Sequence, residues 1–390
     1  MWAIVETVSE NRKNYGRLAF TMSGGGARAA YQVGVMRCIA RHFPDLTIPL
    51  ITGVSAGAIN AAHLAGYTGT FAGTIDDLTN AWLSLTPEKV FKLDSLSLLK
   101  NGVTWTLQLL SGKQSKWISA RGLVDSDPLR DYLMQRLQTE KDGAIEGIRH
   151  NLENGSLEAV AISTTNYLTG QTIAWTQGSN LTSWERINRR SKQTTLHVNH
   201  IMASSALPIF LPAIQLENGW HGDGGLRLYA PLSPAVHLGA DKILAISTRY
   251  NRTEEEEHES LVEGYPPPAQ ILGVVMNSIF LDLLDQDAEQ LISTNEMLRN
   301  IPREQWGDKR MIDLFTMRPS RDLGKLASGY EETMPSVFRY LLRGQGVHEL
   351  RSADWLSMIL FHPEYISKLI EIGEKDAERN LDKLKHFLQS

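Results

Sequence analysis

Twice within the first 66 residues, an apolar run passes through a glycine turn into a helical pattern, and this doublet limits the fold more than any other feature. Arg17 to Met22 (RLAFTM) ends in Ser23-Gly24-Gly25-Gly26, and helical spacing follows from about Ala27 to His42. Leu46 to Thr52 then enters Gly53-Val54-Ser55-Ala56-Gly57, and the small-residue stretch AINAAHLAG leaves it. Two consecutive strand-turn-helix units require right-handed crossovers, and so an α/β fold with a parallel sheet. Further strands are expected at Glu158 to Thr164, Thr172 to Trp175 and Lys242 to Ser247. Four glutamates at 254–257, followed by Pro266-Pro267-Pro268, break the pattern and read as an exposed linker. The expected division is an N-terminal extension over 1–15, an α/β domain over 16–250, and a mainly helical region over 251–390 packed on it. Within the last region a strand is open at Met311 to Thr316, and Ala353 to Phe387 reads as an amphipathic helical cap.

Composition removes several classes of function. Cys38 is the only cysteine, so neither an internal disulfide nor a cysteine-based zinc cluster can form, and the 11 histidines contain no HExxH spacing. No metal site and no cofactor are expected. A net charge of -5 argues against a nucleic-acid partner. Residues 1 to 16 carry a glutamate and no small-residue cleavage site, so the expectation is a cytoplasmic protein, peripherally membrane-associated at most. The longest apolar stretch, Ile271 to Leu284, contains Asn277, Ser278 and Asp282 and falls short of the roughly 20 residues of a transmembrane helix.

The second glycine turn places Ser55 between a strand and a helix. Gly53 and Gly57 allow a sharp bend that projects the hydroxyl, while the helix N-terminus favours negative charge beside it. Ser55 is thus the candidate nucleophile. In the first turn, Gly24, Gly25 and Gly26 can aim several backbone N–H groups at one point, as an oxyanion hole needs, with Arg28 steadying the loop, attracting an anionic head group or standing solvated. Gly24-x-Gly26-x-x-Ala29 also fits a dinucleotide fingerprint. That reading needs an acidic residue about 20 positions on, at the end of the second strand, and Thr52-Gly53-Val54-Ser55 stands there instead. For the base, His197, His200, His221, His237 and His258 compete with Asp223, whose neighbours Gly222, Gly224 and Gly225 permit close approach to a serine.

In order and spacing, Gly24-Gly25-Gly26-Ala27-Arg28, Gly53-Val54-Ser55-Ala56-Gly57 and Asp223-Gly224-Gly225 resemble the patatin-like phospholipase family. Gly122 to Leu129, Ala203 to Pro208, Pro231 to Pro234 and Leu238 to Asp241 look like that family too, so the resemblance covers about residues 16 to 250. It implies a three-layer α/β/α fold, a Ser55-Asp223 dyad without histidine, an oxyanion hole from Gly24, Gly25 and Gly26, and calcium-independent hydrolysis of lipid acyl esters through an acyl-enzyme. Ala29 and Tyr229 depart from it, where the family usually has glycine and asparagine. An acyl groove is expected from Leu96 to Trp117, which carries Trp105 and Leu109, or from the helix near Ile271 to Leu284. The C-terminal helices are candidates for capping the site, for homodimer contact or for docking on membrane. The alternative is a catalytically inactive lipid-binding or regulatory protein of the same fold.

Overall fold

The computed structural model describes residues 17–92, 122–217, 219–258, 265, 268–280, 283–333 and 354–390. The extension over 1–15 and the groove candidate over 96–117 lie outside the described residues. Ten strands among them form one mixed sheet: β1 (Leu18–Met22), β2 (Leu50–Val54), β3 (Ala159–Asn166), β4 (Thr172–Gly178), β5 (Glu185–Arg186), β6 (Arg189–Gln193), β7 (Ile214–Leu216), β8 (Gly219–Asp223), β9 (Lys242–Ile246) and β10 (Asp313–Met317). Their order is β10-β9-β1-β2-β3-β4-β6-β5, with β8 pairing both β3 and β7. The run from β10 to β3 is parallel throughout, as the glycine-turn doublet predicts. β4 and β8 run antiparallel to β3.

Helices cover both faces of the sheet. On one side, α1 (Ala30–His42), α2 (Ala56–Gly66), α3 (Phe71–Leu83) and α4 (Asp127–Arg136) share the larger core with Phe20, Met22 and Ile51. The alternate strand residues Ala19, Leu50 and Ile243 face a second core with Leu232, Leu238 and Leu284. This is the period-two alternation of a sheet buried on both faces.

β2 begins at Leu50 rather than Leu46. Pro49 has no N–H for the ladder, and its carbonyl instead accepts from the N–H of Glu158 and Ala159 at 2.8 and 3.1 Å. The glutamate run is not a linker without structure: Glu254–Glu257 form one helical turn, capped by reciprocal bonds between Thr253 and Glu256. The boundary drawn at 251 does not divide the sheet, because β10 pairs in register with β9.

The C-terminal region contributes α5 (Pro268–Phe280), α6 (Asp354–Ile359) and α7 (Pro363–Arg379). α7 buries Ile366, Leu369, Ile370, Gly373 and Ala377, an i, i+3, i+4, i+7 stripe, and packs along α1. The two helices approach through reciprocal glycines. A Cβ on Gly34 would overlap the Ile370 carbonyl, and one on Gly373 the Tyr31 carbonyl. Gly373→Ala gains about 1 kcal/mol of helix propensity, but overpacking costs roughly 1–3 kcal/mol, and here the obstacle is backbone that cannot rotate away. The expected net effect is a lower urea midpoint; a midpoint at or above wild type counts against this close approach.

Candidate active site

β3 carries the registers that assemble the site. Val54 of β2 lies opposite Ser163, and Asp223 of β8 lies opposite Thr164, so β2 and β8 occupy successive stretches of the β3 edge that faces away from β4, and their ends meet there. Ser55 follows Val54 directly, and its Oγ donates to Asp223 Oδ2 at 2.6 Å. The serine is 2% exposed and the aspartate 0%. Burial pushes the Asp223 carboxyl up to about 7, against the hydrogen bonds from Ser55 Oγ and the Gly225 N–H, which pull it down.

Ser55 has φ 56 and ψ -135, a conformation that costs a non-glycine residue on the order of 1–3 kcal/mol. Both of its backbone groups are held. Its N–H donates to Ser204 Oγ at 3.0 Å, and its carbonyl accepts from Ser205 Oγ at 3.0 Å. Ser204 Oγ in turn donates to the Ser163 carbonyl at 2.7 Å, which anchors the bend to β3.

The glycine loop sits against this bend. A Cβ on Gly24 would lie 2.8 Å from Ser55 Cβ, so only glycine lets the two turns touch. Gly25 and Gly26 have φ of 135 and 58. The carbonyls of Gly24 and Gly25 accept from Thr248 Oγ1 and the Arg28 N–H, whereas the N–H groups of Gly24, Gly25 and Gly26 donate to no backbone carbonyl among the described residues. Gly53 and Gly57 are equally constrained: a Cβ on the first would meet Ala61 and on the second the Met22 and Ser23 carbonyls. On the Asp223 side, Gly224 lies against the Ser163 carbonyl and Gly225 against the Phe280 ring.

None of the competing histidines hydrogen-bonds Ser55 among the described residues. His221 is buried, its Nδ1 pairs with Thr164 Oγ1 at 2.9 Å and its Nε2 with Asn166 Nδ2 at 3.3 Å, and burial pushes its imidazole down to about 4. His200 Nδ1 accepts from the His197 N–H. The ring of His237 stacks on Trp184, while His258 is exposed.

The family model described as patatin-like phospholipase matches residues 20–236, more than half of the chain. The chain belongs to the patatin-like phospholipase family. Among solved structures the patatin-like chain is similar to VipD from Legionella pneumophila, at 12% identity and a TM-score of 0.41, covering 95% of this chain and 67% of that one. It is also similar to human GIVD cytosolic phospholipase A2, at 14% identity and a TM-score of 0.45, covering 97% of this chain and 59% of that one. A search of curated proteins gives no match.

The two departures from the usual patatin-like pattern fall differently. Ala29 is fully buried, and its carbonyl accepts from Asn60 Nδ2 at 3.1 Å. Tyr229 is exposed beside Arg227, and the Asp223 carboxyl takes its hydrogen bonds from Ser55 and Gly225 instead. A buried polar chain that sequence reading did not anticipate links the loop to α2. Gln32 Nε2 donates to the Ser23 carbonyl, Asn60 Nδ2 to Gln32 Oε1, and Trp82 Nε1 to Asn60 Oδ1, at 2.8, 2.8 and 2.7 Å. Its visible signal in the sequence is Asn60, polar within the small-residue stretch AINAAHLAG.

Arg28 does not stand in solvent. It is 3% exposed, and its guanidinium donates to Ser357 Oγ and Asp354 Oδ1, both at 2.5 Å, on α6. Asn277 of α5 donates to the other Asp354 oxygen at 2.6 Å. Burial works to raise the Asp354 carboxyl, but the charge and hydrogen bond of Arg28 hold it below its ordinary value. A Cβ on Gly26 would overlap the Met358 carbonyl, so α6 closes directly on the glycine loop. For metals, the described residues offer one trio of donors within 4.8 Å of one another, Cys38, His42 and Glu378. There burial and a hydrogen bond to Glu378 push the thiol up to about 12, which favours the protonated sulfur over a thiolate ligand.

Two outcomes follow from these charges. Asp354→Ala leaves Arg28 buried without its counter-charge and should cost roughly 3–5 kcal/mol, read by denaturant unfolding; a loss below about 1 kcal/mol would contradict the burial. Asp223 carries the opposite sign. Its folded value of about 7 lies above its ordinary 3.8, so it subtracts stability increasingly as pH rises from about 4 to about 7. Asp223→Asn should therefore melt above wild type at pH 8, with the difference gone at pH 4.

Proposed function

We propose that the chain is a serine lipid acyl hydrolase of the phospholipase A or lysophospholipase type, with Ser55 as nucleophile and Asp223 as its base. The observation that carries this reading is the 2.6 Å hydrogen bond from Ser55 Oγ to a carboxylate fully withdrawn from water. A free aspartate is a weak base at neutral pH, whereas one with a value near 7 matches proton affinity to working pH.

Ser55 Oγ attacks the ester carbonyl and gives its proton to Asp223. The oxyanion is met by the N–H groups of Gly24, Gly25 and Gly26, an arrangement in which each donor is typically worth 10²–10³ in rate. Asp223 returns the proton to the departing alcohol, leaving an acyl-serine. Water then attacks this ester as Asp223 takes its proton, and the second collapse restores the serine hydroxyl and releases the fatty acid.

An apolar cavity opens beside Ser55 and Gly26, with Ile59, Leu78, Leu133 and Met358 among its walls. Such a lining suits an acyl chain. Of the expected groove helices, α5 presents two faces. Met276 and Phe280 are buried beneath it, while Ile271, Val274 and Val275 are exposed and offer apolar contact to a lipid surface.

The test combines labelling and kinetics. A fluorophosphonate should label the protein once, at Ser55, and not at all in Ser55→Ala. On p-nitrophenyl esters, kcat/KM should climb with pH through about 7 and level off above it, because only the ionised Asp223 accepts the proton. Asp223→Asn should lose about 10²–10⁴ in rate, whereas His221→Ala should retain most activity. Full activity in Asp223→Asn removes the dyad; absence of turnover on every ester restores the inactive lipid-binding alternative.

A further inference from the structure

The cavity beside Ser55 is lined in part by α2. Ala56, Ile59 and His63 line it from one face of α2, and the helical rise from residue 55 to residue 63 is about 12 Å. Along α2 the cavity lining therefore extends from the nucleophile to His63. α3 and α4 supply the opposite wall through residues such as Leu78, Ala81, Leu129 and Leu133.

At His63 the apolar lining stops. The imidazole is 4% exposed, and its Nε2 lies 3.2 Å from Asp77 Oδ2 without a hydrogen bond among the described residues. Arg136, from the end of α4, sits 4.0 Å from the other Asp77 oxygen. Its guanidinium is held over the Tyr132 ring at 5.6 Å and donates to Ser84 Oγ at 3.4 Å, so the group has a fixed position. A separate polar cleft lined by His63, Tyr67, Arg136 and Gln138 begins on the far side. His63, Arg136 and Leu137 are shared by the two spaces and form the partition between them.

We propose that His63 and Arg136, with Asp77 between them as their shared partner, are the end wall of the acyl site and set the acyl length the enzyme prefers. This rests on the acyl-hydrolase reading above. An extended alkyl chain with C–C bonds of about 1.5 Å advances roughly 1.3 Å per carbon, so about 12 Å accommodates roughly nine or ten carbons. Each methylene placed in the apolar part should raise kcat/KM roughly fourfold. Beyond His63 a further methylene displaces polar contacts instead of water from apolar surface, and the gain stops.

The experiment is a p-nitrophenyl ester series from four to sixteen carbons with the full chain. In wild type, kcat/KM should rise with length and break at about ten carbons. His63→Leu and Arg136→Met remove the polar wall and should raise the ratio of kcat/KM for fourteen over eight carbons at least tenfold. Ile59→Phe narrows the slot midway and should move the break to about five carbons, which supplies a second readout if the first two variants fold poorly. A ratio unmoved by His63→Leu and Arg136→Met, or a break that stays in place in Ile59→Phe, overturns the end wall while Ser55-dependent turnover stands. Loss of turnover on every ester in wild type would instead sink the hydrolase reading.

Discussion

Everything at the centre of this molecule depends on one hydrogen bond, from Ser55 Oγ to Asp223 Oδ2, between residues 168 positions apart. No local signal can bring them together. Their meeting is a property of β3, which pairs parallel with β2 and antiparallel with β8 and therefore fixes both partners from one backbone. A slip of one residue in either ladder would turn that strand's side chains to the opposite face and separate the pair. The side-chain bonds from Ser204 to β3 and from Ser205 to Ser55 reinforce this register at the point where the chain bends most.

Burial of Asp223 serves reactivity at the expense of stability. A carboxyl held near pH 7 by a dry environment is a competent base, and for the same reason it resists the charge that base needs to carry. The strained φ of Ser55 adds a second local cost. Both are tolerated because the surroundings are rigid: nearly every strand residue of β1, β2, β3 and β9 is buried, and the helices facing them meet through small residues.

What the sequence makes legible follows from range. Ser55, Gly53, Gly57 and the loop glycines are visible because a tight turn constrains residues a few positions apart, and the parallel sheet follows from two such turns in succession. Asp223 stands out through its flanking glycines, but the residues alone left it beside five histidines. The choice lies in packing, since His221 spends both ring nitrogens on Thr164 and Asn166. The same limit hid the division of the chain. The glutamate run and prolines mark a change in composition, yet β10 crosses that mark to pair with β9, and edge pairing leaves no periodicity to read. Arg28 admits several roles in the sequence because its partners are 326 and 329 residues away.

That last separation bears on how the protein is made. During synthesis Arg28 and the nucleophile turn emerge early, whereas Asp354 and Ser357 emerge hundreds of residues later. Until then the guanidinium lacks its counter-charge, and Gly26 lacks the helix that closes on it. An incomplete chain can carry every motif read here and still have its glycine loop unsupported. Support of the glycine loop is thereby tied to a helix made more than 300 residues after it.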